Sequence, residues 1–150
     1  ISLKNLSTRQ SNELMQLVAI TNDLEHIGDR IATSMVTSAK KRIDEDVTVS
    51  PETAELLNDF HEVVSSTLDD AIRSVTKQKR KLAKKVRLRK KNFLELSQSV
   101  AEHGFGRLTA DEPNRLNTYA REMEVVEILE GVFIIARRIA RTQLNTAPAE

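Results

Sequence analysis

The stretch that decides the fold is Asn22-Asp23-Leu24-Glu25-His26-Ile27-Gly28-Asp29-Arg30-Ile31-Ala32, in the first quarter of a chain of 150 residues. Apolar residues in and just before this stretch are spaced three and four apart, which is typical of a helix that turns one stripe toward other helices. The stripe consists of Leu17, Ile20, Leu24, Ile27 and Ile31. We therefore expect a long amphipathic helix that packs through this stripe.

A second face of the same helix carries two carboxylates, Glu25 and Asp29, with Asn22 beside them. Carboxylates at positions i and i+4 have Cβ atoms about 5–6 Å apart, and they repel each other unless positive charge lies nearby. The pair therefore favours a bound cation or a basic partner, and the simpler alternative is a solvated acidic surface. Gly28 costs the helix about 1 kcal/mol relative to alanine, so we expect another backbone to pack closely against it.

The order of residues in this stretch closely resembles the signature of the PhoU family, a group of helical proteins that regulate phosphate uptake. In that signature an acidic residue and an aspartate one turn later hold metal ions, and Glu25 and Asp29 occupy the two positions. The pair Lys40-Lys41 and the helix start Ser50-x-Glu52 also resemble the PhoU-like cytoplasmic domain at the C-terminus of bacterial sodium/phosphate cotransporters. The resemblance implies a regulatory domain at the cytoplasmic face of the inner membrane, joined to an upstream transmembrane transporter part of the same polypeptide.

The resemblance also implies a metal site. Glu25 and Asp29, helped by Asn22, would bind a hard or intermediate cation such as iron, manganese, magnesium or zinc through oxygen ligands. Two carboxylates cannot complete a shell of about six ligands, so water, phosphate, Glu130 or a neighbouring chain would have to supply the rest. Phosphate bound to the metal would then couple the phosphate level to helix packing.

Composition favours a single all-α domain. Charged residues make up 30% of the chain and aromatic residues 3%, with only 4 glycines and 3 prolines, which fits elongated helices with narrow apolar stripes. There is no cysteine, so disulfides and thiol chemistry are excluded. The net charge of +1 gives no global field for nucleic acid. Because the chain begins with Ile1 and has no long apolar run, we expect a fragment whose membrane part lies upstream.

Start and stop signals predict four long helices, at about 8–41, 51–76, 80–103 and 112–142, in an antiparallel up-and-down bundle. Ser7 with Gln10 forms a capping box, and Ser50-Pro51-Glu52 is a strong helix start. A single helix from Glu52 to His103 would be about 75 Å long, too long for a domain of this size, so a turn is predicted near 76–80.

The end of the third helix and the start of the fourth have signals of their own. Gly104 and Gly106 are predicted to end the third helix. Thr109 with Glu112 resembles a second capping box, which would open the fourth helix.

A faint internal repeat aligns the first helix with the fourth. Leu24-Glu25-His26-Ile27 falls on Leu129-Glu130-Gly131-Val132, but Asp29 then falls on Ile134, so the second copy lacks the aspartate. PhoU proteins resemble two three-helix repeats, and this chain resembles the last helix of one repeat followed by one complete, spectrin-like three-helix repeat. Ile134 and Ile135 make the fourth helix apolar on more than one side. This helix is either central in the bundle or faces missing sequence or another subunit, as in a homodimer.

The steepest charge gradient lies in residues 77–91, which contain ten basic residues and no acid. Such a run is as typical of a solvated helix face as of a surface that binds a partner. The functional hypothesis is contact with anionic lipid headgroups or an acidic partner, for which the candidates are Lys81, Lys84, Lys85, Arg87 and Lys91. Nucleic acid is disfavoured because no aromatic residue interrupts the run.

No enzyme is predicted. The histidines His26, His61 and His103 do not form a zinc-ligand pattern, although His26 or His61 remains a minor candidate for a supporting ligand. The sequence therefore predicts a PhoU-like regulatory domain of a sodium-dependent phosphate transporter that acts through metal or phosphate. The alternatives are a metal-free helical protein-interaction module and a freestanding regulator of phosphate uptake.

Overall fold

The structure is a computed structural model that describes residues 7–109 and 113–146. Within these ranges the chain forms helices and no strands. The elements are α1 (Thr8–Asp29), a π-helical segment (Arg30–Met35), α2 (Val36–Asp44), α3 (Pro51–Thr76), α4 (Arg80–Leu88), α5 (Lys90–Thr109) and α6 (Arg115–Thr146). The first three follow one another without a turn, and we call them together the first arm (residues 8–44). The predicted all-α bundle is confirmed.

The helix starts lie where the capping signals predict them. Gln10 N donates to Ser7 Oγ at 3.3 Å, and Ser7 N donates to Gln10 Oε1 at 2.9 Å, so the capping box closes in both directions. Thr53 N donates to Ser50 Oγ at 3.2 Å, with Pro51 at the first helical position. These side chains satisfy backbone donors that would otherwise have no partner at the helix starts.

The turn predicted near 76–80 is also confirmed. Helix α3 ends at Thr76 and α4 begins at Arg80. Between them Gln78 has a φ of 52°, in the left-handed region that breaks a right-handed helix.

Several predicted boundaries are wrong. The first arm continues through Ile43 to Asp44, and it contains the π-helical segment that the sequence pattern did not indicate. The predicted third helix is two helices, with a break at Arg89, whose guanidinium turns inward to Asp70 Oδ2 at 2.7 Å. The fourth helix extends to Thr146 and begins, in the part that the structure describes, at Arg115. Glu112 of the second predicted capping box lies outside the described residues.

The predicted stop at Gly104 and Gly106 is wrong, because α5 continues through both to Thr109. Gly104 is buried, and a Cβ built on it would lie 3.2 Å from Met123 Cε and 3.3 Å from Tyr119 Cε2. The missing side chain therefore lets α6 pack closely on α5. Gly106 is exposed and has no neighbour within 4 Å of such a Cβ.

Helix α6 is the central element. On one side it packs with α3, α4 and α5 around stacked aromatic rings, in which Phe93 lies 3.7 Å from Phe133 and 5.2 Å from Phe60, centroid to centroid. On another side it contacts the first arm, which runs antiparallel to it. The structure thus shows the central position, which was one of the two alternatives for the fourth helix. Ile134 is nevertheless 61% exposed, so a face toward another subunit or missing sequence stays a prediction.

The first arm is only partly covered. Ile20 and Ile27 are buried, but Leu17, Leu24 and Ile31 are 54%, 37% and 48% exposed. The prediction that all five stripe residues face other helices is therefore wrong among the described residues, because α6 covers only one flank of the arm. No described helix is long and apolar enough to cross a membrane.

The two glycines of α5 provide a matched test of this packing. Gly106→Ala should raise the free energy of unfolding by about 0.5–1 kcal/mol, since alanine is the better helix former and its methyl group meets open space. Gly104→Ala should give no such gain, because its methyl group presses on Tyr119 and Met123. Urea denaturation of both variants checks this, and an equal gain in both would contradict the close α5–α6 packing.

Candidate functional site

The acid pair lies on the uncovered side of the first arm. Asn22, Glu25 and Asp29 are all exposed, and Asp29 is the last residue of α1, directly before the π-helical segment. Segments of π-helix inside α-helices often occur at functional sites. The acid pair therefore lies in regular helix that ends where the irregular segment begins.

An open cleft of about 780 Å³ separates this part of the arm from α6. Its walls carry charged and hydroxyl groups from the arm and a mostly apolar surface from α6. The lining residues are His26, Asp29, Arg30, Thr33, Ser34, Gly131, Ile134, Ile135 and Arg138. Asp29 thus faces the cleft, whereas Asn22 and Glu25 are not among its walls.

Gly131 explains how the arm packs on α6 at this point. A Cβ built on Gly131 would lie 2.6 Å from both Cζ and Nη1 of Arg30, so only glycine leaves room for the guanidinium in its present position. The prediction that another backbone packs closely against Gly28 is wrong among the described residues, because Gly28 is exposed and has no atom within 4 Å of an added Cβ. The close contact is made at the aligned stretch of α6 instead.

A buried carboxylate, two residues before Glu25, ties the arm to α6. Asp23 is 8% exposed and accepts hydrogen bonds from Arg138, with 3.0 Å between Nε and Oδ2 and a second bond from Nη2 to Oδ1. The hydrogen bond from Asp23 raises the pKa of Arg138 above its ordinary value, although burial of the guanidinium opposes the change. This pair was not predicted, because Asp23 lies within the motif but on the flank of α1 that α6 covers.

A second charged cluster holds the other end of the arm. Arg121 Nη1 donates to both carboxylate oxygens of Glu124 at 2.7 Å, and its Nε lies 3.1 Å from Glu45 Oε2. Lys41 Nζ donates to Glu124 Oε1 at 3.2 Å. Burial alone would raise the pKa of Glu124, but hydrogen bonds from Ser38 and Lys41 and the charge of Arg121 lower it overall. Ionic contacts therefore fix the arm at both ends of its contact with α6.

The structure does not bring Glu130 to the acid pair. Its carboxylate accepts a hydrogen bond of 2.6 Å from Ser97 Oγ, so it faces α5. Glu127 is exposed and has no part in the cleft. Among the described residues, no three His, Asp or Glu side chains are grouped as metal ligands would be. Glu25 and Asp29 alone do not complete a shell of about six ligands.

The predicted basic residues all lie on the outer surface of α4 and the start of α5. Lys81, Lys84, Lys85, Arg87 and Lys91 are exposed. Two of them are ion-paired, with 3.0 Å between Lys85 Nζ and Asp70 Oδ2 and 3.7 Å between Lys91 Nζ and Glu95 Oε1. In residues 7–109 and 113–146, the remaining three have no carboxylate partner.

The histidines are bound to hydroxyl groups or exposed. His103 Nε2 lies 2.8 Å from Thr53 Oγ1, and His61 Nε2 lies 3.1 Å from Ser65 Oγ. His26 is exposed at the wall of the cleft.

Comparisons with known proteins do not identify a relative. A scan against protein-family models, a search of curated proteins and a search of solved structures each returned no match to this chain. The function is therefore argued from the residues and their geometry.

Removing the buried charge on the arm tests its attachment to α6. Asp23→Asn should lower the free energy of unfolding by about 1–3 kcal/mol, since Arg138 loses the charge of its buried acceptor in a partly buried contact. Asp59→Asn, a matched change on the exposed face of α3, should leave stability within about 0.5 kcal/mol of the parent. Urea denaturation compares them, and equal effects would show that the Asp23–Arg138 pair does not hold the arm.

Proposed function

We propose that this chain is a PhoU-like regulatory domain that docks onto a sodium-dependent phosphate transporter at the cytoplasmic face of the bacterial inner membrane and modulates phosphate transport. The sequence supports this proposal by its resemblance to that family, which rests on the motif ending at Asp29, on Lys40-Lys41 and on Ser50-x-Glu52. The observation that carries the proposal is the uncovered outer face of the first arm, on which this motif lies. In this proposal the domain has no catalytic role.

The outer face has the pattern of a helix–helix seam. Its residues are spaced alternately three and four apart, as in the strip along which two helices wind around each other. The seam consists of Leu14, Leu17, Thr21, Leu24, Gly28 and Ile31, and all six residues are exposed. Open space above Gly28 lets a neighbouring helix approach closely. We assign this seam to a helix of the transporter polypeptide outside these 150 residues.

The acid pair lies beside the seam and sets the charge of that helix. Glu25 and Asp29 follow Leu24 and Gly28 by one residue each, so their carboxylates flank a docked helix on one side. Repulsion between the two carboxylates would be relieved by basic side chains of the partner. A metal ion between them would need further ligands from that partner.

The basic outer surface of α4 fits the same setting. Lys81, Lys84 and Arg87 are exposed and have no carboxylate partner within the described ranges. Each basic group close to an anionic membrane surface contributes about 1 kcal/mol of attraction. The domain would therefore be drawn toward the membrane that contains its transporter.

The metal-free interaction module is the second candidate, and one observation favours it. Glu130 is hydrogen-bonded to Ser97 rather than turned toward Glu25 and Asp29, so the described part of the chain supplies only two carboxylates. Elemental analysis of the purified chain beside a Glu25→Gln/Asp29→Asn variant distinguishes the candidates. Iron, manganese or zinc that is lost in the variant would support a metal site. A parent that is folded but metal-free would support docking without a metal.

The seam can be tested in the intact transporter. Leu17→Glu places a charge on the apolar seam without disturbing the core, because Leu17 is already 54% exposed. We expect the rate of sodium-dependent phosphate uptake to shift to that of a transporter from which the domain is deleted, while the stability of the isolated chain changes by less than about 0.5 kcal/mol. Leu116→Glu is the control, since Leu116 is 69% exposed on α6 and lies outside the seam.

Each result has one meaning. Uptake that is unchanged by deletion of the domain would reject the regulatory function. A deletion effect that Leu17→Glu does not reproduce would reject the seam as the docking face. Gel filtration of the isolated chain completes the test, because a dimer that Leu17→Glu dissociates would assign the seam to a second copy of the chain.

A further inference from the structure

A cavity of about 310 Å³ lies between the start of α4 and the end of α6. Four of its eight lining residues are arginines, and none of the eight is acidic. The lining consists of Arg80, Ala83, Arg87, Arg137, Ala140, Arg141, Leu144 and Asn145. We call it the arginine cavity.

Helical spacing places the four guanidinium groups around one space. Arg80 and Arg87 are two turns apart on α4, and Arg137 and Arg141 are one turn apart on α6, so each pair shares a helix face. Ala83 and Ala140 are fully or almost fully buried between them. Because these two side chains are small, α4 and α6 approach closely there, and the longer arginine side chains form the walls.

Three of the four arginines in this cavity lack the carboxylate partner that other arginines of the chain have. Arg89 is held by Asp70, and Arg138 is held by Asp23. Arg87, Arg137 and Arg141, in contrast, have no hydrogen-bond or ion-pair partner in residues 7–109 and 113–146. Like charges gathered around one space repel each other unless an anion lies between them.

Arg137 is the most informative member. Its Nε is shielded from solvent and has no hydrogen-bond acceptor, and its Cζ lies 6.0 Å from the centroid of the Phe133 ring. The ring contact limits the freedom of the guanidinium, which favours a fixed orientation. A shielded donor without an acceptor is costly to a folded protein, so it indicates a ligand that supplies one.

We propose that the arginine cavity binds a small oxyanion that carries several phosphate charges, either a polyphosphate or the phosphomonoester headgroup of a lipid. A guanidinium group donates two parallel hydrogen bonds to phosphate oxygens. Several guanidinium groups around one cavity therefore suit a ligand with several negative charges better than a ligand with a single carboxylate. The site is separate from Glu25 and Asp29, and the proposal does not depend on the function proposed above.

The cleft beside the first arm is a weaker candidate for an anion. Although Arg30 and Arg138 line that cleft, the carboxylate of Asp29 lines it too, and Arg138 is already bound by Asp23. The lysines on the outside of α4 are exposed and do not enclose a space. The arginine cavity instead combines partial enclosure, three guanidinium groups without a partner in residues 7–109 and 113–146, and a lining without acids.

Calorimetric titration of the 150-residue chain with tripolyphosphate tests the proposal. We expect saturable binding near one ligand per chain. Arg87→Gln and Arg141→Gln, which change exposed side chains, should each raise the Kd about tenfold or more, since each removes a pair of charge-assisted hydrogen bonds. Arg137→Lys, which keeps the charge but loses the planar fork, should also weaken binding.

Lys40→Gln is the control, because it removes one exposed positive charge from α2, at the other end of the bundle, and should leave the Kd unchanged. Equal weakening in Lys40→Gln would show that the chain attracts anions only through its overall charge. No saturable binding of any probe, or unchanged binding in both Arg87→Gln and Arg141→Gln, would overturn the proposal. Thermal melts of each variant verify that it is folded.

Vesicle flotation distinguishes the two sources of the phosphate group. Vesicles of phosphatidylcholine with phosphatidic acid present a phosphomonoester, whereas those with phosphatidylglycerol present a phosphodiester. Binding that prefers phosphatidic acid, is displaced by tripolyphosphate and is lost in Arg141→Gln would assign the site to a lipid headgroup. Binding of tripolyphosphate without binding to the vesicles would assign it to a soluble polyphosphate.

Discussion

The structure depends on the burial of α6 from two sides. Phe133 and Ile139 are buried against the three-helix bundle, while Gly131 and Arg138 of the same helix receive Arg30 and Asp23 of the first arm. One helix therefore serves two kinds of contact, a continuous apolar core on one side and, on the other, a few buried residues of the arm, Ile20 and Ile27, flanked by ionic contacts. The second side is the weaker one, since it buries fewer apolar residues and partly exposed ion pairs contribute little. Because α6 covers only one flank of the arm, the other flank stays uncovered.

Sequence patterns predicted the parts of the fold that local chemistry controls. The starts at Ser7 and Ser50 and the turn around Gln78 are properties of a few neighbouring residues, so they could be predicted without tertiary structure. The break at Arg89 and the continuity through Gly104 could not, because one depends on Asp70 of another helix and the other on Tyr119. The burial of the apolar stripe on the first arm was overestimated for the same reason. Periodicity shows which residues can pack, but it does not show how many neighbouring helices are present.

The candidate sites were predictable to different degrees. Glu25 and Asp29 lie exposed one turn apart, as helix geometry requires, but their aligned partner Glu130 is engaged by Ser97, which spacing alone could not reveal. The arginine cavity was hidden because its residues come from two helices that are far apart in sequence. Arg138 and the neighbouring Arg137 lie on different sides of α6, Arg138 toward the arm and Arg137 in the cavity.

The central claim is that the outer face of the first arm is completed by a helix from outside this chain. Hydrogen exchange followed by mass spectrometry tests it most directly, on the isolated chain and on the intact transporter. The account predicts that amides of residues 8–19 exchange at least about tenfold faster than those of residues 126–140 in the isolated chain, and become protected in the intact protein. Exchange in the arm that is equally slow in both samples, or equally fast in both, would contradict it.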